Sequence, residues 1–133
     1  MDCKDLMKGN LVKAPAYWGG NKRCLEYVEI EEIHYNEVYH TATGINGQGS
    51  SDESDLIPID LFEKATNLGF EELSKDYFSL NHCKTSFVYY YTRSGSSWTF
   101  ELNGEPIKIL YVHQFQNLFR LTTGEEISLE NIV

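Results

Sequence analysis

The segment IKILYVHQFQNLFRLTTGE, residues 107–125, constrains the fold more than any other part of this chain. It begins apolar, passes into a run of mixed polar and aromatic residues, and stops at a glycine. Tyr111, Phe115, Leu118, Phe119 and Thr122 recur at the 3.6-residue spacing of one helix face, with Val112 beside them. A strand also fits the period, because Ile107, Ile109, Tyr111, Phe115, Phe119 and Leu121 share one parity. Gly124 just past the end, Arg120 in the last turn and the polar pairs His113-Gln114 and Gln116-Asn117 decide for a helix over residues 111–122. A helix this short is marginal alone, so the rest of the chain is expected to pack around it.

A chain of 133 residues buries about two-thirds of its surface on folding, enough for a core without disulfides or metal. One compact domain over residues 1–133 is expected, with a β subdomain at 1–59 and a helix, meander and helix at 60–133. Hydrophobic residues at 41% and charged residues at 23% exclude wholesale disorder. Nine Tyr and seven Phe favour strands.

In the first half, Gly9-Asn10 reads as a turn and Leu11-Val12 as the start of the first strand of a small barrel. AYWGGNKR reads as a loop tip, residues 25–33 as a second strand, and Tyr35-Asn36-Glu37 as a tight connection into a third strand at 38–43. GINGQGSSDESD, residues 44–55, reads as an exposed loop on its glycine, serine and acid content. Leu56, Ile57 and Ile59 return to the barrel. Asp60 and Glu63 have capping-box spacing, and Leu61, Phe62, Ala65 and Leu68 follow on one face up to Gly69, which predicts a helix of about two and a half turns.

The second half carries a strand at 85–92, TSFVYYYT, a turn at RSGSS and a partner strand at 98–103. Residues 71–80 fit a strand or irregular coil equally. Asn103-Gly104 turns the chain into a third strand at 107–111, and Ile127 and Leu129 suggest a short final strand.

Charge narrows the partners. The chain has a formal net charge of −9, concentrated at residues 26–76, where thirteen acids face two lysines. Such a middle repels nucleic acid and acidic membrane surfaces, and phosphate contacts from Lys and Arg are scarce. No stretch approaches a membrane span, and the start, MDCKDLMKGN, lacks an apolar run of signal-peptide length. The three cysteines, Cys3, Cys24 and Cys83, form no C-x-x-C pair, so a cytoplasmic protein with reduced thiols is expected.

Few residues carry chemistry. His34 and His40 approach each other only across a hairpin turn, and His82-Cys83 point to opposite faces of a strand, so neither pair satisfies the ligand spacing of a zinc site. GINGQGSS has no following lysine and is flanked by acids, which argues against a phosphate loop. No catalytic residues, metal or cofactor are expected. The candidate binding residues are His113, Gln114, Asn117 and Arg120 on the polar side of the C-terminal helix, together with Tyr89, Tyr91 and Trp98, because Tyr, Trp and Arg are enriched among interface anchors.

Three stretches carry a resemblance to known proteins. DLMKGNLV, PIDLFEKATNLGFEE and YVHQFQNLFRLTTGEEI together resemble a group of small proteins from Bacteroides-type gut bacteria and their phages and mobile elements, the last stretch being the most specific. Phe115 stands where that pattern has leucine, and the acidic segment at 44–55 departs from it. The resemblance implies an SH3-like small β-barrel in the first half and carries no activity. The expected fold is therefore α+β: an SH3-like barrel, a short helix, a β-meander and a C-terminal helix.

These features point to a non-catalytic interaction module with a protein partner, an accessory factor of a phage or mobile element. The alternatives are a nucleic-acid-binding small barrel and an acidic DNA mimic that inhibits a basic DNA-binding protein; no membrane partner is expected, and no oligomeric state is implied. Given its charge, the chain is expected not to retard short DNA or RNA in a gel-shift assay at low salt, and a retarded band would restore the nucleic-acid reading.

Overall fold

A computed structural model describes residues 6–18, 22–41, 48–82, 87–95 and 97–129. The chain is α+β and mostly strand, with a curled half-barrel sheet and a C-terminal helix. It forms two compact units, Met1–Ile59 with Val112–Gln114, and Asp60–Tyr111 with Phe115–Val133.

The first unit is built on β1 (Leu11–Trp18), β2 (Lys22–His34), β3 (Glu37–Thr41) and β4 (Gln48–Asp52), an antiparallel sheet in sequential order. The β1–β2 pairing runs out to Trp18↔Lys22, so most of the stretch expected as a loop tip is strand; residues 19–21 lie outside the described residues. Alternation builds the core: Val12 and Ala14 from β1, Val28 and Ile30 from β2 and Val38 from β3 are buried together with Leu6 and Leu56. A bulge between Ile30 and Glu32 interrupts the β2–β3 register, and β2 is thirteen residues long. Asn10 is fully buried, and its Oδ1 accepts from the Met7 N–H at 2.7 Å, which ties down the turn before β1.

The acidic segment is the main correction in this unit. Residues 48–52 are not loop: Ser50 and Ser51 pair with Tyr39 and Val38 in a regular ladder, followed by a 3-10 turn at Glu53–Asp55. An edge strand needs backbone partners and no apolar alternation, so its composition concealed it. Residues 42–47 lie outside the described residues. Ile57 exchanges backbone hydrogen bonds with Lys13, both 2.9 Å, and extends the pairing beside β1.

The second unit holds β5 (Glu71–Ser74), β6 (Tyr77–Asn81), β7 (Val88–Ser94), β8 (Ser97–Leu102) and β9 (Glu105–Ile107) in a five-stranded antiparallel meander. Residues 71–81 are thus a hairpin, the case that periodicity left open. Residues 83–86, including the expected beginning of the tyrosine strand, lie outside the described residues. Asn103 and Gly104 both take positive φ, 51° and 89°, as a two-residue turn with the twist of its flanking strands requires. The following strand ends at Ile107, four residues short of expectation, because the Ile109 N–H folds back onto the Ile107 carbonyl at 3.0 Å. No strand forms over residues 125–129.

The predicted helix after Asp60 is shorter than its pattern suggests. It consists of α1 (Leu61–Lys64), one turn, and a 3-10 turn at Thr66–Leu68 that ends on Gly69 at φ 105°. The Asp60 carboxylate accepts from the Phe62 N–H at 3.0 Å, two residues on rather than three, so the expected capping box is replaced by a tighter turn. Leu61, Ala65 and Leu68 are buried, whereas Phe62 is 38% exposed and leaves the stripe assigned to it.

The C-terminal helix, α2 (Val112–Thr123), lies within one residue of expectation. Phe115 is fully buried, with Phe70, Tyr89 and Phe100 at ring-centroid distances of 5.4, 5.3 and 5.7 Å. Tyr89 and Phe100 face it from β7 and β8, and Phe119 is buried beside them. Truncation of such a ring removes its transfer free energy and leaves a cavity. Phe115→Ala is expected to destabilise the fold by about 3–5 kcal/mol, read from the shift in denaturant midpoint at unchanged slope; a near-neutral result would contradict this packing.

Candidate functional site

The most site-like feature is a cleft of about 330 Å³ in the second unit, lined by Asp60, Phe62, Tyr91, Trp98, Leu110 and Tyr111. Two backbone links assemble it. Asp60 and Tyr111 form an isolated antiparallel bridge, and the Leu61 N–H donates to the Leu110 carbonyl at 3.1 Å. The chain entering α1 and the chain entering α2 therefore lie side by side. The meander supplies the remaining wall: Tyr91 pairs with Phe100 and Arg93 with Trp98 across β7 and β8, so these side chains share one sheet face.

The rings stack rather than diverge. Tyr91 and Trp98 lie 5.2 Å apart with planes 12° from parallel, and Phe62 and Trp98 lie 4.2 Å apart at 31°. Phe62 and Leu110 remain 38% and 45% exposed, so apolar surface stays open to water. The Arg93 guanidinium sits 5.7 Å from the Trp98 ring centre and its Nε is ion-paired with Asp76 Oδ1 at 3.0 Å. A second cleft, of about 290 Å³, shares Trp98 and Leu110 with the first and includes Pro106, Ile107 and Lys108.

Electrostatics follow from this placement. Burial pushes the Tyr91 hydroxyl up to about 12, and the negative charge of Asp60 adds to the effect. Burial likewise raises Tyr89. Asp60 spends one oxygen on the Phe62 N–H and is otherwise exposed.

Of the residues singled out from sequence, only Tyr91 and Trp98 line this cleft. Tyr89 is fully buried and belongs to the core. His113 is also buried, and Gln114 is half-buried; both cluster with the first unit. Asn117 and Arg120 are half-buried in the second unit, where Arg120 Nη2 pairs with Glu126 Oε1 at 2.5 Å. Asp60, Phe62, Leu110 and Tyr111 escaped the sequence reading. The sequence pattern places Phe62 on one face with Leu61, Ala65 and Leu68, and no local signal sets its partial exposure apart from theirs.

The histidines serve structure. His34 and His40 lie on one hairpin but point to opposite faces, His34 exposed beside Glu32 (2.7 Å) and His40 buried. His40 Nδ1 donates to the Thr41 carbonyl at 2.6 Å, which leaves Nε2 to accept from the Ser51 hydroxyl at 2.9 Å in the neutral ring. His82 Nε2 is 3.0 Å from Glu125 Oε2, and Cys83 lies outside the described residues. Among the described residues, no group of three or more His, Cys, Asp or Glu side chains is placed to hold a metal ion. Among them too, no helix is long and apolar enough to cross a membrane.

Compared with known proteins, the chain matches no family model and shows no significant similarity to a curated protein or a solved structure.

The raised Tyr91 has a measurable consequence. Its proton is held more tightly folded than unfolded, so its contribution to stability is intact below pH 10 and is lost as the pH rises toward 12. Ultraviolet titration of the phenols is expected to show a tyrosine ionising near 12, moving down in Asp60→Asn. An unchanged curve would mean that the carboxylate does not act on this ring.

Proposed function

We propose that this protein is a non-catalytic protein-interaction module whose binding surface is the aromatic cleft around Trp98. The observation that carries the reading is the exposure of Phe62 and Leu110 beside two stacked rings. Aromatic side chains in a partly open cleft offer large contact area at small entropic cost, which is the profile of an interface anchor. The cleft lining holds one carboxylate and no lysine or arginine, which favours a protein partner over nucleic acid.

The first unit is proposed to be an SH3-like small barrel. Supporting this are the sequential order of β1 to β4, the long bulged β2, and the 3-10 turn at Glu53–Asp55 that leads into the Ile57 pairing with β1. The cytoplasmic setting rests on the three cysteines, which form no C-x-x-C pair, and the role as accessory factor of a phage or mobile element rests on the resemblance of the three motifs described above.

The test is quantitative binding to a partner captured from the host and then purified. Phe62→Ala and Leu110→Ser are expected to weaken that complex at least about tenfold, as for anchor truncations of about 1.4 kcal/mol or more. Tyr35→Ala, at a fully exposed turn of the first unit, is expected to leave it unchanged. Equal affinity of all three variants would remove the cleft as the interface.

A further inference from the structure

From the reading of the cleft as an interface follows a narrower question, the chemistry of the group that enters it. The lining combines π faces with one carboxylate: Phe62, Tyr91, Trp98 and Tyr111 surround Asp60 and Leu110. Aromatic faces attract cations through the ring quadrupole, and a carboxylate adds a charge-assisted hydrogen bond. A neutral group gains no comparable attraction from the ring faces, and an anionic group is repelled by the carboxylate.

The geometry separates the possible cations. A quaternary ammonium is held by rings set around it as the walls of a box. Here Phe62, Tyr91 and Trp98 pack on one another, Tyr91 12° and Phe62 31° from the plane of Trp98, and Phe62, 38% exposed, is the ring open to water, which suits a flat group that extends the stack. Guanidinium is planar, weakly hydrated, stacks on aromatic faces and grips a carboxylate with paired N–H donors, whereas lysine ammonium is a compact and strongly hydrated point charge.

The same fold already uses this combination. Arg93 lies 5.7 Å from the centre of the Trp98 ring while its Nε forms an ion pair with Asp76 Oδ1 at 3.0 Å. Carboxylate, guanidinium and indole thus form one layered set within the chain. Asp60 supplies a second carboxylate near the same indole, and the oxygen not used to cap α1 has no partner among the described residues. The chain's net charge of −9 draws a basic segment toward it.

We propose that the cleft binds an arginine side chain of a basic protein segment, laid on the exposed Phe62 ring with its guanidinium paired to Asp60. This rests on the cleft being the interface, and its test is chosen to fail separately.

The probe is a short capped peptide, Gly-Arg-Gly, against the same peptide with citrulline, which keeps the planar shape and removes the charge. Binding is followed by the indole N–H and aromatic resonances of the intact protein. The arginine peptide is expected to shift the Trp98 and Tyr111 signals saturably, with the citrulline peptide, which keeps its N–H donors but not the charge, weaker by at least about tenfold through loss of the ion-pair and cation–π attraction. Asp60→Asn keeps an oxygen to cap α1 while removing the charge, so it is expected to fold normally and lose the preference for arginine over citrulline. Equal binding of both peptides, an undiminished preference in Asp60→Asn, tighter binding of a lysine peptide, or shifts produced by a mononucleotide instead would each overturn the assignment. So would the absence of any shift. If the peptides fail while Phe62→Ala still weakens the purified partner complex, the interface stands and only its arginine occupant falls.

Discussion

The contact between Tyr89 and the C-terminal helix governs the second unit. Its ring lies edge-on to Phe115 at 5.3 Å and beside Phe119 at 5.8 Å, all three sealed from water. A phenol buried this deeply would be costly without a partner for its hydroxyl. The Thr122 hydroxyl donates to the Leu118 carbonyl at 2.9 Å, so it is the Tyr89 O–H that donates to Thr122 Oγ1, at 2.5 Å. Aromatic packing holds α2 against the sheet, and this polar contact helps to set its position along the sheet. A slide of one residue would break the hydrogen bond and unseat both phenylalanines together.

The same sheet face changes character along its strands. Tyr89 and Phe100 are covered by rings from α2, whereas Tyr91 and Trp98, one step further on the same face, meet Phe62 from α1 instead. One-turn α1 offers a single ring where α2 offers two, so cover thins and surface opens. The cleft is therefore the place where a continuous aromatic stripe runs out of helix. Its carboxylate is there for a local reason, since Asp60 must cap α1, and that capping role brings the charge to the edge of the rings.

The legible parts of the fold were those in which one local rule sufficed. The i, i+4 aromatics of residues 111–122 with Gly124 behind them, and the Asn103-Gly104 turn between alternating strands, each carry their structure in a short window. The strand at Gln48–Asp52 carried no such signal, because edge pairing is made by backbone groups and its serines and acids look like those of a loop. The helix after Asp60 erred the other way. Its pattern continued for nine residues, but burial of Leu61, Ala65 and Leu68 in so short a span was met by one α turn and one 3-10 turn. The cleft was half visible: Tyr91 and Trp98 follow from their aromatic character, while Asp60, Phe62, Leu110 and Tyr111 have no common local pattern.

The amino-acid sequence by itself determined the α+β class, the C-terminal helix and the aromatic hairpin, because hydrophobic period, turn residues and helix stops act within a few residues of one another. Tertiary structure alone decided what covers each of those aromatics. Tyr89 and Tyr91 are two residues apart on one strand with the same side-chain chemistry and the same facing. Both are buried, one beneath α2 and the other in the wall of the cleft beside Asp60. That difference comes from where residues 60–62 and 110–111 are brought back across the sheet, through pairings some fifty residues apart in the chain.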